Sequence, residues 1–369
     1  MSGGRIADLQ ELRFIPFSAA HAHAAVALWN AELSADFPMT AALFHQNSLT
    51  DANVLSNGSW SAFTADGGLA GYVISKYFVA VFPRFRPRSG WIQVLLVRRS
   101  VRGHGIGGEL LRRAETALWQ HGVSQITLGQ DVNHYFPGIP DDYPQVQRWF
   151  EAHGYSGGTH QHDLLTERAE QLPQLPDVHW ILLDHQDRRE QLLAFLCRAF
   201  PGRWHFEAVD YFRHAGTGRE FLVMEKQGKV IGFCRLNDAY SPLIGPNVYW
   251  ARLFSDPVGG IGPLGIDPAV RGNGYGLALV RAAVAVQQMR GNARVIIDWT
   301  DITNFYSKVD ARRWKSYTSY VKRPTAVTGD LQDAGERQSS IEKEGYHAGE
   351  THNGNTQQEH DPSRSDERA

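Results

Sequence analysis

The chain has 369 residues, of which 42% are hydrophobic, so it can bury enough apolar surface to fold, and its length favours two domains. Its 37 Lys and Arg against 39 Asp and Glu give a net charge of −2, which excludes a broad basic field for a nucleic-acid or membrane partner. No apolar stretch is long enough for a membrane span or a signal peptide, and we expect a soluble, cytoplasmic protein.

Apolar periodicity predicts the same series of elements in each half of the chain. In the first half, the elements are a helix over 19–32, a hairpin over 60–65 and 69–75, a strand over 92–97, a helix over 108–119 and a strand over 125–128. In the second half, they are a helix over 188–200, a hairpin over 221–226 and 230–236, a strand over 261–266, a helix over 277–289 and a strand over 294–297. This order predicts a duplication.

The duplication predicts two domains joined by a short connection. We place the first domain at 13–165, a polar linker with two prolines at 166–176, and the second domain at 177–323. From 324 to 369 the chain is polar with almost no large apolar residue, which predicts a disordered tail. The sequence carries no signal for the oligomeric state.

Each copy has a glycine-rich segment where a predicted strand ends and a predicted helix begins. The two segments read Arg102-Gly103-His104-Gly105-Ile106-Gly107 and Arg271-Gly272-Asn273-Gly274-Tyr275-Gly276, so both follow R-x-x-G-x-G. Glycine lets backbone amides approach a ligand, and a helix start carries positive partial charge, which suits a phosphate or pyrophosphate. Either segment could instead be a helix-start turn without a ligand. Neither has the spacing of a dinucleotide or nucleotide-triphosphate loop.

Both segments, with the strands before them, resemble the pyrophosphate loop of the GNAT superfamily of N-acetyltransferases. The resemblance implies an α/β fold of the α+β type, with two tandem GNAT domains that each have a twisted mixed sheet flanked by helices. It also implies acetyl-CoA as cosubstrate, held over the loop amides and between two splayed strands. The residues that would contact it are Leu264, Gly265, Ile266, Arg271, Gly272, Asn273, Gly274, Tyr275, Gly276, Asn304 and Lys308 in the second copy, and Val97, Arg102, Gly103, Gly105 and Gly107 in the first.

Acetyl transfer to an amine needs a base and an acid near the strand that follows the helix. Asp298 lies at this place in the second copy, and Gly129 lies at the equivalent place in the first. The next segment resembles the superfamily's final-helix motif, in which a tyrosine protonates the leaving thiolate; it places Tyr306 in the second copy opposite Phe150 in the first. We predict that the second copy is catalytic, with Asp298 as base and Tyr306 as acid. Asp298 could instead be a cap, and Tyr306 a core residue.

The first copy has an inserted segment over 131–143 that mixes aromatic and polar residues. This segment, with 200–204, 297–300 and 314–317, resembles a bacterial tandem-domain group that includes enzymes acetylating glucosamine or glucosaminides. The resemblance implies a small-molecule amine or an amino sugar as acceptor. The candidate acceptor-binding residues are Asn133, Tyr135, Phe136, Trp204, Trp299 and Asp301. The insertion could equally seal the domain interface, and the two tryptophans could be core residues.

Two other functions remain open at this point. The acceptor could be the cysteinyl amine of a thiol conjugate, or the protein could be a sensor that binds coenzyme A without catalysis. Cys197 and Cys234 form no ligand cluster, so we predict no metal site and interpret both as small, partly buried side chains.

Overall fold

The computed structural model describes residues 12–78, 89–183, 186–214 and 216–324, with the side chains of residues 186 and 187 left out. The predicted tail lies outside the described residues except for its first residue. In the first half, the strands and helices are β1 (Arg13–Pro16), α1 (Ala22–Leu33), α2 (Ala41–Phe44), β2 (Trp60–Phe63), β3 (Leu69–Tyr77), β4 (Ser89–Val97), α3 (Ile106–Gln120), β5 (Gln125–Leu128), β6 (Ile139–Pro140), α4 (Pro144–Ala152) and β7 (Ser156–Thr166).

The second half repeats most of this series. Its strands and helices are β8 (Val178–Leu182), α5 (Gln186–Ala199), α6 (Arg203–Arg213), β9 (Phe221–Lys226), β10 (Lys229–Asn237), β11 (Val258–Ile266), α7 (Tyr275–Met289), β12 (Arg294–Thr300), α8 (Thr303–Tyr306) and β13 (Arg312–Lys322). Every helix and strand predicted from the periodicity is present, with ends shifted by a few residues. The predicted mixed α/β architecture is therefore confirmed.

The strands join into one 13-stranded sheet with the order β1-β2-β3-β4-β5-β13-β7-β12-β11-β10-β9-β8, and β6 pairs with β13 off this path. The pairs β4–β5 and β11–β12 are parallel, as expected where a helix crosses over between them. The last strand of each half pairs with the other half, because β13 lies against β5 and β7 lies against β12. The sequence carries no signal for this exchange, and the division at 166–176 stays a prediction.

Each half has its own core, and a third core joins them. Helix α3 packs with Leu110 and Leu111 on the first half of the sheet, and α7 packs with Leu279 and Val280 on the second. The third core is aromatic and combines Trp29 of the first half with Trp250 and other residues of the second. Stacked aromatic rings contribute more than their buried area alone. The two copies therefore form one packed body.

Two local features of the second half concern its cysteines and the turn before β13. Cys234 is buried in the second core, but Cys197 is exposed on α5, so the expectation of partial burial is wrong for Cys197. Asp310 follows the 3-10 helix Ser307–Val309 that continues α8, and its φ of 53° is left-handed. Asp tolerates this conformation better than most residues, so the final turn forms without glycine.

Candidate active site

The second glycine loop joins β11 to α7 through a short 3-10 helix, Pro268–Val270. Gly272 and Gly274 have φ values of 85° and 77°, and Gly274 is the residue before the first turn of α7. These left-handed conformations favour glycine, and they leave the first amides of a 15-residue helix without helical partners. The loop can therefore bind an anion such as a diphosphate.

The first glycine loop has the same backbone shape. Gly103 and Gly105 have φ values of 81° and 80°, and Gly105 precedes the first turn of α3. Its surroundings differ, because Glu32 of α1 lies against it: the Arg99 amide donates to Oε1 at 2.7 Å and the Arg102 guanidinium donates to Oε2 at 2.6 Å. A carboxylate beside the loop opposes the approach of a second anion.

A cavity of about 700 Å³ begins at the second glycine loop. The parallel pairing of β11 with β12 ends at Ile261 and Ile297, and the two strands separate beyond that point. The cavity follows this gap, passes Asp298, and ends against residues of the first half. An elongated ligand with a phosphate-bearing end fits this shape.

The cavity brings together most of the cofactor residues predicted for the second copy. They are Leu264, Gly265, Ile266, Arg271, Gly272, Gly274, Tyr275, Gly276 and Lys308. Arg271 and Lys308 add positive charge at the loop end, which fits a diphosphate. Two predicted residues do not line the cavity: the side-chain amide of Asn273 donates to the Val270 carbonyl at 3.0 Å, and Asn304 is exposed on α8.

The equivalent gap in the first copy is closed by the inserted segment. Gln93 stands at the position equivalent to Gly262, and its Nε2 donates to the carbonyls of Asn133 and Asn47 at 2.8 and 3.0 Å. The backbone amide of Gln130 donates to the Phe136 carbonyl at 3.0 Å, which folds the segment back over the end of β5. The first copy thus keeps the loop, and the inserted segment packs against Gln93 at the end of its β4–β5 pairing. None of Val97, Arg102, Gly103, Gly105 and Gly107 lines the cavity that contains Asp298.

Asp298 lies in β12 just past the last pair with β11, with its carboxyl in the cavity. Oδ1 accepts a hydrogen bond from Asn247 Nδ2 at 2.9 Å. Burial raises the pKa of Asp298 to about 7, and the charge of Asp163 adds to this rise. A carboxyl group with a pKa near 7 can accept and release protons at neutral pH.

Tyr306 is the last residue of α8 and lines the same cavity. Burial raises the pKa of its hydroxyl, and the nearby Cys234 and Asp298 add to this rise. The hydroxyl therefore stays protonated at neutral pH and can donate a proton. Phe150 stands at the equivalent place at the end of the final helix of the first copy, packed against Trp149 as Tyr306 is against Phe305. The structure thus matches the pairing drawn from the sequence.

Comparison with known proteins decides the family. The acetyltransferase (GNAT) family matches residues 22–136 and 189–308, which together exceed half of the chain. The chain belongs to the GNAT family. This membership makes the protein an acetyl-CoA-dependent N-acetyltransferase, and it favours an enzyme over a non-catalytic sensor.

Among the relatives of this acetyltransferase are two proteins named mycothiol acetyltransferase. The protein from Salinispora tropica is 24% identical over 70% of this chain and 80% of its own length. The protein from Saccharomonospora viridis is 29% identical over 53% of this chain and 60% of its own length. Both are similar to this chain in sequence.

Solved structures show the same fold at low sequence identity. The glucosamine N-acetyltransferase region of a fungal multi-domain beta-N-acetylglucosaminidase has a TM-score of 0.76 and 22% identity, over 84% of this chain and 38% of that longer chain. A GNAT protein from Sphaerobacter thermophilus has a TM-score of 0.64 and 18% identity, over 87% of this chain and 98% of its own. The tandem GNAT architecture is therefore established.

Sequence reasoning missed the residues that hold the Asp298 carboxyl of this acetyltransferase. Asn247 is buried between Asp298 and Asn237, whose Nδ2 donates to Asn247 Oδ1 at 2.9 Å. A Cβ on Gly260 would lie 2.2 Å from Asn247 Oδ1, and one on Gly245 would lie 2.3 Å from Asn237 Nδ2. The two glycines therefore leave room for the two asparagines. Single glycines and asparagines that are far apart in the sequence carry no such signal.

The far wall of the cavity combines both halves of the acetyltransferase. Arg203 of α6 donates to the carbonyls of residues 130, 131 and 132 in the first half, at 2.7 to 3.0 Å, and pairs with Glu207 at 2.6 Å. Its guanidinium also lies 4.7 Å from the centre of the Trp299 ring. Asn133, Trp204, Trp299 and Asp301 line the cavity, as predicted for an acceptor site. Arg203 and Glu207 were not predicted.

Two predicted acceptor residues lie elsewhere. Tyr135 and Phe136 belong to the aromatic core between the halves, where Phe136 stacks on Trp29 and Trp250 at 5.8 and 5.7 Å. Neither lines the cavity, because the inserted segment turns their rings away from it. These two residues therefore pack as the alternative expectation, a segment that seals the interface, would have them.

The described part of the chain has neither a metal-ligand cluster nor a helix that could span a membrane. Within residues 12–78, 89–183, 186–214 and 216–324, no cluster of three or more His, Cys, Asp or Glu side chains has the arrangement of a metal site. In the same ranges, no helix has the length and apolar character needed to cross a bilayer.

Proposed function

We propose that the enzyme transfers acetyl from acetyl-CoA to the primary amine of an amino sugar, such as glucosamine or a glucosaminide, at the second copy. The observation that carries this proposal is the position of Asp298, a carboxyl group with a pKa near 7 in the cavity that starts at the second glycine loop. The second copy holds the cofactor, and the first copy supplies part of the acceptor wall.

The roles of the side chains follow from their protonation at neutral pH. Bound acetyl-CoA supplies an acetyl group activated as a thioester. Asp298 takes the proton that the amine loses as its nitrogen bonds to the acetyl carbon, and Tyr306 gives its proton to the sulfur as the carbon–sulfur bond breaks. Both groups then exchange protons with water in the cavity. An acceptor that arrives as an ammonium first gives one proton to water; the neutral amine then loses one proton to Asp298 and the thiol gains one from Tyr306, so the transfer balances.

The end of the cavity that lies away from the glycine loop supports a cationic, hydroxylated acceptor. Glu207, Asp210 and Asp301 bring negative charge, which attracts the ammonium form of an amine. Burial raises the pKa of Asp210, and its Oδ1 lies 3.4 Å from His214 Nδ1. The rings of Trp204 and Trp299 are apolar surfaces of the kind that pack against a sugar face.

A second acceptor is favoured by one observation. The two relatives named mycothiol acetyltransferase cover 70% and 53% of this chain, so the amine of a cysteinyl thiol conjugate is the alternative substrate. Both acceptors are primary amines, and the roles of Asp298 and Tyr306 are the same for each.

An acetyl-transfer assay with three amines separates these proposals. Glucosamine, a glucosamine disaccharide with one free amine, and cysteine amide are each offered with acetyl-CoA, and the N-acetylated product is measured by mass spectrometry. We expect the sugar amines to have the higher kcat/KM, and a preference for cysteine amide would select the alternative. Asp298→Asn is expected to lower kcat/KM by about 100-fold or more.

Cofactor binding is the control for this variant. Asp298→Asn removes the base without touching the glycine loop, so thermal stabilisation by coenzyme A should match that of the wild type. A variant that binds coenzyme A and keeps the wild-type rate would refute the assignment of Asp298.

A further inference from the structure

The strand exchange places a carboxylate of the first half beside the active site of the second. Asp163 lies in β7, which pairs with β12 through Leu164 and Ile297, so it stands next to the chain that carries Asp298. Asp163 is buried, with an exposed fraction of 6%. Burial raises its pKa to about 6, while hydrogen bonds to Tyr317 and Trp299 act against this rise.

Asp163 holds the backbone directly after Asp298. The amide of Trp299 donates to Asp163 Oδ1 at 3.1 Å, and the Tyr317 hydroxyl donates to Oδ2 at 2.7 Å. Trp299 has a φ of 46°, a left-handed conformation that is costly for a large side chain. At this point the pairing of β12 with β7 shifts register, and Asp163 supplies the acceptor for the displaced amide. This arrangement fixes the direction of the Asp298 side chain.

The first copy lacks a carboxylate at the equivalent place. Leu165 of β7 pairs with Ile296, and Val321 of β13 pairs with Thr127, which is the residue equivalent to Ile296. Asp163 lies two residues before Leu165, and Ser319 lies two residues before Val321. Ser319 is therefore the equivalent of Asp163, and it has a hydroxyl in place of the carboxyl group. The first copy thus lacks an equivalent of Asp163 as well as equivalents of Asp298 and Tyr306.

Several ionisable groups act on Asp298 besides Asp163. Glu207 of α6 also raises the pKa of Asp298, and the hydrogen bond from Asn247 lowers it. The neutral groups that face it are Cys234, Tyr249, Tyr306 and Tyr317. Lys315, which is paired with Asp163 across β13 and β7, partly offsets the charge of Asp163. Asp163 has the largest electrostatic effect on Asp298 among these charged groups.

We propose that Asp163 is a positioning residue for acetyl transfer, contributed by the first half: it orients Asp298 through the Trp299 amide and makes Asp298 the stronger base through its negative charge. This inference rests on the proposed role of Asp298 as base. The tandem arrangement therefore completes the active site rather than only enlarging the protein.

The test measures the protonation of Asp298 directly as well as the rate. In wild type and Asp163→Asn, infrared spectra across pH give the midpoint at which the protonated carboxyl band of Asp298 disappears, with Asp298→Asn identifying that band. We expect the midpoint to fall by about one pH unit in Asp163→Asn. The pH dependence of kcat/KM with glucosamine should shift in the same direction, and the rate at alkaline pH should fall. A structural role alone would lower the rate without moving either midpoint.

Two further variants keep the inference open to refutation. Ser319→Ala, at the equivalent strand position, should leave both midpoints unchanged. Tyr317→Phe keeps Asp163 but removes a hydrogen bond that favours its charged form, so the Asp298 midpoint should fall by a smaller amount; this variant serves if Asp163→Asn does not fold. Unchanged infrared midpoints in the folded variants would overturn the inference alone, whereas a wild type that acetylates no amine would overturn the proposed function and, with it, the role of Asp163 in acetyl transfer.

Discussion

Tyr306 and Phe150 occupy equivalent places at the ends of the final helices and differ by one hydroxyl group. Each ring packs edge-on against the preceding aromatic ring, with centroids 5.0 Å apart for Phe305 and Tyr306 and 4.9 Å apart for Trp149 and Phe150. Since the packing is the same, the hydroxyl can be removed or added with little change in shape.

Tyr306→Phe is expected to lower kcat by about 100-fold or more, because a phenyl ring cannot protonate the departing sulfur. The KM for acetyl-CoA should change little, since the ring remains. Steady-state kinetics with the best amine of the acceptor panel measures both values.

The reciprocal change, Phe150→Tyr, provides the control. The first copy also lacks a carboxylate at Gly129, so the added hydroxyl should leave the rate at the wild-type value. A rate increase in Phe150→Tyr would show that the first copy takes part in the chemistry.

The two glycine loops predict one cofactor per chain. Gly274→Ala and Gly105→Ala introduce the same change at φ values of 77° and 80°, and each should destabilise the fold by about 1 kcal/mol. Only Gly274→Ala should weaken coenzyme A binding, by about 10-fold or more, because the first copy's gap is closed by Gln93 and the inserted segment.

Isothermal titration calorimetry measures both the affinity and the stoichiometry. We expect one coenzyme A per chain for the wild type and for Gly105→Ala. Two equivalents in the wild type, with one lost in Gly105→Ala, would show that the first loop binds the cofactor as well.

The raised pKa of Asp298 predicts a pH-dependent cost in stability. The folded state keeps the Asp298 proton up to a pH of about 7, whereas the unfolded chain loses it near 3.8. The contribution of protonated Asp298 to the free energy of unfolding is therefore fully present below pH 3.8, and it is lost as the pH rises through 7. Asp298→Asn stays neutral throughout, so it should be more stable than wild type at pH 8, by about 1 to 3 kcal/mol.

Urea unfolding at pH 8 and pH 4 tests this expectation. The difference between variant and wild type should be largest at pH 8 and close to zero at pH 4. If the free energies of unfolding of variant and wild type differed equally at pH 8 and pH 4, Asp298 would not titrate near neutral pH in the folded protein.

The aromatic core between the halves predicts joint unfolding of both copies. Trp250 has an exposed fraction of 2% and stacks on Trp29 and Phe136. Trp250→Ala should lower the free energy of unfolding by about 3 to 5 kcal/mol. Circular dichroism and loss of activity should report one shared transition in denaturant, and separate transitions would contradict a single packed body.

Leu182→Ala is the comparison for Trp250→Ala. Leu182 has an exposed fraction of 43% on the edge strand β8, so its truncation should change the free energy of unfolding by no more than about 0.5 kcal/mol.

Local patterns in the chain were enough for the repeated elements and the glycine loops, and together with the family resemblance they put forward Asp298 and Tyr306 as candidates. These features depend on residues close in sequence: apolar spacing sets the helices and strands, and left-handed turns favour glycine at Gly272 and Gly274. Comparing the two copies position by position also singled out Gly129 and Phe150. Such comparisons need no knowledge of which elements touch.

Only the tertiary structure decided which distant residues meet. The exchange of β7 and β13 brings Asp163 to Asp298 across a sequence separation of 135 residues, and α6 brings Arg203 and Glu207 to the acceptor wall. Strand order in a sheet depends on the free energy of packing the whole chain, and neighbouring residues do not encode it. For the same reason the sequence could not show that Tyr135 and Phe136 turn into the core while Asn133, two positions away, reaches the cavity.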